Sequence, residues 1–192
     1  MLASDIIKPD QATLDWSEQM LEEHGFLRSV ASTENFTTAK RTVAFSKTNN
    51  LGVLVLGNVG LGKTRFLKAY EKIAPEINGR ETKYFSMKDP KAPNWFNPAD
   101  YGEWLNGLYE CNIIIDDLGA EPTICEYGIK REYVFEFLIH YTELGKGVIA
   151  ASSNLVGDKL LDRYTSRLDC LKEHMLLTIF KGKDLRQWIM AK

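Results

Sequence analysis

Three short polar stretches carry residue types that together could bind and cleave a phosphoanhydride. The first is Gly57-Asn58-Val59-Gly60-Leu61-Gly62-Lys63-Thr64, followed by Arg65. Its spacing fits Gly-x-x-x-x-Gly-Lys-Ser/Thr, a loop whose glycines permit positive φ and bring successive backbone N–H groups against phosphate oxygens. A helix that starts at the end of the loop adds its positive dipole end. Lys63 is expected to reach the β- and γ-phosphates, and the Thr64 hydroxyl to ligate Mg²⁺. From average residue frequencies, a chance match in a chain of this length has odds on the order of one in a hundred. The segment from Gly57 to Arg65 is therefore the expected cradle of a nucleoside triphosphate.

The second stretch is "CNIIIDDLGAE", residues 111–121. An apolar run that ends in Asp116 and Asp117 puts carboxylates at the C-terminal end of a buried strand, where ligands of open α/β sheets bind. Asp116 is expected to hold Mg²⁺ through water, and Asp117 to orient or deprotonate the attacking water. That second role usually falls to Glu. The shorter Asp reaches less far, so Glu121 stays beside Asp117 as a candidate base. Alone, the stretch reads equally as a strand and an acidic turn; beside a phosphate loop it supplies the metal and nucleophile positions that hydrolysis needs. The third stretch is "GVIAASSN", in which Asn154 is expected to hydrogen-bond the γ-phosphate or the water. Capping of the following helix is the plainer role for the same residue.

These residues need a sheet to bring them together. "LGVLVL" (51–56) reads as a buried strand, and Phe66, Leu67, Tyr70, Ile73 and Ala74 fall on one face of the helix behind the loop, which Pro75 is expected to stop. "TKYFSM" (82–87), "NIIID" (112–116), "GVIAAS" (147–152) and "HMLLTIF" (174–180) complete at least five strands. The Pro-rich "DPKAPNWFNP" reads as a loop leading to a helix with Asn97 as N-cap and Tyr101, Trp104, Leu105 and Leu108 on its apolar side. Val134, Phe137, Leu138 and Tyr141 form the stripe of a longer helix ending at Gly145. Strands alternating with helices predict an α/β three-layer sandwich on a parallel five-stranded sheet. Residues 1–50 contain no strand pattern and read as an N-terminal arm of two amphipathic helices. Their apolar faces favour burial on the domain at 51–192 over docking to a partner.

Composition narrows the function classes. With 24 Lys and Arg against 26 Asp and Glu, the net charge is −2, so nucleic-acid contact would need a local patch. Cys111, Cys125 and Cys170 are scattered without a Cys-x-x-Cys pair, as expected for reduced thiols. No apolar run reaches membrane-spanning length and "MLASDIIKPD" lacks a signal-peptide core, so a soluble cytoplasmic protein without a membrane partner is expected.

"LDRYTSRLDC" adds Arg163 and Arg167 on a short helix, and "FKGKDLR" adds Arg186. With "IIIDDLGAE" and "ASSNL" before them, over roughly residues 45–190, the chain resembles the DnaC/IstB group of AAA+ helicase loaders and transposition helper ATPases. The resemblance implies a P-loop NTPase of the ASCE type with its helical lid absent or minimal. It implies ATP and Mg²⁺ as cofactors and a homo-oligomer in the ATP state. Arg167 would then be an arginine finger inserted into a neighbouring subunit's site, with Arg163 in reserve. Arg186 would approach the phosphates. A replicative helicase or a transposase would be the protein partner, and single-stranded DNA a further ligand, with Lys88, Lys91 and Trp95 as contacts. A nucleotide-gated assembly module with negligible turnover is the alternative on the same loop. A small-molecule phosphoryl transferase is disfavoured because no acceptor pocket is evident.

Overall fold

The strand that leads into the glycine loop, β1 (Gly52–Leu56), is buried along its whole length, as a central parallel strand covered on both faces must be. The computed structural model describes residues 6–29, 31–89, 108, 110–121, 124–126, 129–144, 147–164, 170–171 and 174–182. Two helices come first, α1 (Gln11–Glu23) and α2 (Thr33–Asn49). After β1 follow α3 (Lys63–Asn78), β2 (Thr82–Ser86), β3 (Asn112–Leu118), β4 (Ile124–Glu126) and β5 (Ile129–Arg131). The remaining elements are α4 (Tyr133–Leu144), β6 (Ile149–Ser153), α5 (Asp158–Tyr164) and β7 (Met175–Ile179).

Five strands form one sheet in the order β2-β3-β6-β1-β7, every pairing parallel. This is the α/β three-layer architecture that the strand and helix patterns predict. Because β6 stands between β1 and β3, the ends of all three open onto one edge of the sheet. Pleating sends Val53 and Val55 into one core with Phe66, Leu67, Tyr70 and Ile73 of α3. Leu54 and Leu56 enter the opposite core, with Phe135, Phe137, Leu138 and Tyr141 of α4 and Tyr164 of α5.

The two N-terminal helices belong to the first of these cores. Leu21, Phe26, Phe36, Ala39 and Val43 are buried in the same cluster as β1 and α3. Phe26 sits among three rings, with centroids 6.1 Å from Phe36, 5.7 Å from Phe66 and 6.2 Å from Phe180. Thr42 of α2 meets Thr178 of β7, hydroxyl to hydroxyl, at 2.9 Å. Asp10 caps α1 by accepting from the Thr13 N–H, and Ser32 caps α2 by accepting from the Asn35 N–H.

Some local expectations change. Pro75 does not end α3, which runs on to Asn78 and closes at Gly79 with φ 74° and its N–H on the Pro75 carbonyl. Proline removes one donor from the ladder, while Ile77 beyond it still packs against the core. β3 extends past Asp116 to Leu118, and its pairing with β6 shifts register between Ile115 and Leu118. An antiparallel hairpin, β4–β5, precedes α4 where no strand is expected; segments of three residues are too short to show a period. Residues 90–107, on which the expected Pro-rich loop and most of the helix with Asn97, Tyr101, Trp104 and Leu105 fall, and the expected helix end at Gly145 lie outside the described residues.

Since Phe26 contributes to the core shared with β1, Phe26→Ala should destabilise the whole domain by about 3–5 kcal/mol. Urea unfolding should show one transition with a lowered midpoint; an unchanged midpoint would mean that residues 1–50 fold apart from the sheet.

Candidate functional site

The glycine loop closes tightly on the strand beside it. A Cβ on Gly57 would lie 2.6 Å from the Phe180 carbonyl oxygen, and Gly57 has φ 149°, so no other residue fits there. Leu61 is buried in the aromatic core and anchors the loop. Gly62 takes φ 90° at the N-cap of α3, which has no side-chain cap. The first-turn N–H groups of α3 are thus left to a ligand. Asn58, Val59, Thr64 and Arg65 are exposed around this helix start, and Gly60 turns the loop at φ 84°.

Lys63 points inward and is only 5% exposed. Its Nζ donates to the Gly57 carbonyl at 2.6 Å, the Asn58 carbonyl at 2.7 Å and Asn154 Oδ1 at 2.8 Å. Burial brings its pKa down from the usual 10.5 to about 8, against the pull of Asp117 and Asp116 and with a further push from Lys88.

Opposite the loop, Asp116 is 2% exposed and held by three donors. Tyr84 Oη donates to Oδ2 at 2.8 Å; Ser152 Oγ and the Asp117 N–H, at 3.1 Å, donate to Oδ1. Burial first, then the Asp116 charge, pushes the Tyr84 phenol well above its ordinary range, so it stays a donor. Asp117 occupies the register shift of β3 with φ 62°, a left-handed position that Asp tolerates better than most side chains. Its Oδ1 accepts from Asn154 Nδ2 at 2.7 Å and lies 2.7 Å from Lys88 Nζ. A continuous polar chain, Lys63–Asn154–Asp117–Lys88, therefore crosses the edge of the sheet.

The other expected residues fall elsewhere. Glu121 is 3% exposed and turned inward, receiving the Gly119 N–H at 2.6 Å and the Tyr164 hydroxyl. Arg163 is tied down within the same chain, to the Glu121 carbonyl at 2.6 Å and Glu132 Oε2 at 3.1 Å. Arg167, Arg186, Lys91 and Trp95 lie outside the described residues. Lys88, expected to contact DNA, lies 2.7 Å from Asp117 Oδ1. The signal that could have found it is register: β2 pairs with β3 so that Ser86 stands beside Asp116, two residues before Lys88.

Among the described residues no group of three or more His, Cys, Asp and Glu gathers as a metal cage. A carboxylate with two oxygens has about four acceptor positions, so Asp116 keeps one for a metal-bound water. With Thr64 exposed at the helix start, this suits Mg²⁺, which keeps waters and takes few protein ligands beside phosphates.

No established family profile matches the chain. It is 25% identical over 158 residues to the chromosomal replication initiator protein DnaA of Mesoplasma florum, covering 79% of this chain and 34% of that protein. Its structure is similar to AMPPCP-bound DnaA from Aquifex aeolicus, with a TM-score of 0.51, 21% identity, and 82% of this chain and 49% of that chain covered. It is also similar to the DnaC helicase loader, with a TM-score of 0.52, 16% identity, and 79% and 91% covered. The chain shares the fold of these DnaA and DnaC structures. The chain spans about a third of the DnaA sequence and about half of the DnaA structure that it matches. No helix among the described residues is long and apolar enough to cross a membrane.

Glu121 accepts from the Gly119 N–H and the Tyr164 hydroxyl inside the fold, so Glu121→Gln should cost about 1–3 kcal/mol in stability while nucleotide affinity stays at the wild-type value. Thermal melting and titration with a fluorescent ATP analogue check both. A variant as stable as wild type that no longer released phosphate would return Glu121 to the chemistry.

Proposed function

We propose that the chain is an ATP- and Mg²⁺-dependent AAA+ ATPase of the DnaC-like helicase-loader kind, hydrolysing ATP between subunits of a homo-oligomer. The observation that carries this reading is the hydrogen-bonded chain from Lys63 through Asn154 to Asp117, which joins the three polar strand ends at the mouth of the phosphate loop. Lys63 exchanges the carbonyls of its own loop for the β- and γ-phosphates. The N–H groups of Gly57 to Arg65 receive the remaining phosphate oxygens. Thr64 and Asp116 would hold the metal, which would neutralise charge on the phosphate oxygens. Asp117 orients the attacking water and takes its proton. Asn154 holds that water or the γ-phosphate.

Arg167 completes the site from a neighbouring copy, where a planar guanidinium meets the charge of the transferring phosphoryl group. It gains that partner only in the oligomer, so ATP favours assembly. Arg186 approaches the phosphates from the segment after β7. The similarity to the DnaC helicase loader supports a replicative helicase as partner. Single-stranded DNA is the surface of action in this reading, and an IstB-like helper to a transposase is the sister reading on the same machinery. The work is cytoplasmic. One observation favours slow turnover: Asp117 is shorter than the usual Glu and its Oδ1 is held by both Asn154 and Lys88. A nucleotide-gated assembly module follows if phosphate release stays negligible in the presence of single-stranded DNA.

Lys63→Ala should lose ATP binding in calorimetric titration, whereas Asp117→Asn should bind ATP and release no phosphate. Wild-type affinity in Lys63→Ala would refute the cradle. Arg167→Ala should keep monomer binding and lose turnover by about 10³-fold or more. Undiminished phosphate release in that variant would remove the finger.

A further inference from the structure

Lys88 has no place in the phosphate-loop pattern, yet the fold delivers it to the acidic strand. The chain leaving β2 is clamped there: the Met87 N–H donates to the Asp116 carbonyl at 2.9 Å, and the Asp89 N–H to the Ser86 carbonyl at 3.1 Å. From this turn the lysine reaches back so that Nζ lies 2.7 Å from Asp117 Oδ1. Its side chain is 58% exposed and that of Asp117 only 13%, so a solvated cation covers a sheltered carboxylate. The Asn154 amide donates to the same oxygen at 2.7 Å.

We infer that Lys88 is a tethered counter-ion for the Asp116–Asp117 pair, excluding a divalent cation from the site until a triphosphate draws the lysine away. The inference rests on the nucleotide-site reading above. Without ligand, two carboxylates and two ammonium groups balance at the sheet edge. A divalent ion arriving alone meets Lys88 paired with Asp117, and Lys63 joined to that carboxylate only through Asn154, and is repelled by both ammonium charges. A triphosphate arriving with its metal offers both lysines new partners, which frees Asp117 for water. Lys88 thereby sets an order: metal enters with nucleotide and not before it.

The test measures binding of Mn²⁺ to the full chain by electron paramagnetic resonance, with and without AMPPCP, for wild type, Lys88→Met and Lys88→Arg. Melting temperatures confirm that each variant is folded. Without nucleotide, Lys88→Met should bind Mn²⁺ about tenfold more tightly than wild type, since one unit charge has left the pair. Lys88→Arg should behave as wild type. Equal Mn²⁺ affinity in wild type and Lys88→Met would overturn the inference, and a loss of oligothymidine binding in that variant would make Lys88 a DNA contact. In those outcomes AMPPCP still binds wild type and not Lys63→Ala. If wild type binds no AMPPCP at all, the nucleotide-site reading falls and this inference with it.

Discussion

A buried ammonium group must be paired, and the site is organised around that requirement. Lys63 Nζ is satisfied by three oxygens of the protein, two from its own loop and one from Asn154. The two carbonyls are within reach because Gly57 and Gly62 fold the loop back on the start of α3. The third oxygen is there only because β6 runs between β1 and β3. Parallel order, glycine conformation and the polar end of β6 thus meet at one nitrogen atom. The two loop carbonyls are what phosphate oxygens would replace in the proposed complex.

Support for this arrangement comes from both layers. On the α3 side, Asn35 of α2 accepts the Lys181 N–H at 2.9 Å and donates to the Lys181 carbonyl at 3.0 Å, fixing the segment after β7 beside the loop. Leu61 reaches into the aromatic group of Phe26, Phe66 and Phe180. The N-terminal helices therefore act as part of the wall behind the loop. On the α4 side, the buried Glu121–Tyr164–Arg163 cluster ties the segment after β3 to α5. Burial, and after it the Glu121 charge, raises the Tyr164 phenol far above its ordinary range, which keeps it a donor to that carboxylate.

Local patterns were the legible part. The loop motif, the buried runs at β1, β3 and β6 and the polar residues at their ends can be read because each needs only neighbours in sequence. Lys63, Asp116, Asp117 and Asn154 are accordingly found together. Features that depend on register or packing stayed hidden. Lys88 reaches Asp117 through the pairing of β2 with β3, and nothing within "SMKDP" signals it. Glu121 looks free in "DDLGAE" and becomes structural only when Tyr164, forty-three residues later, closes over it. Pro75 does not stop the helix because Ile77, in the turn beyond it, still packs against the core and the ladder loses only one donor.

A crystal structure with AMPPCP and Mg²⁺ tests the central claim most directly, through the position of Lys63 Nζ. It should leave the Gly57 and Asn58 carbonyls and lie between the β- and γ-phosphate oxygens, with the metal beside Thr64 and Asp116. A structure from the same crystals with Lys63 still bonded to Gly57, Asn58 and Asn154, and with nucleotide bound elsewhere or nowhere, would contradict it.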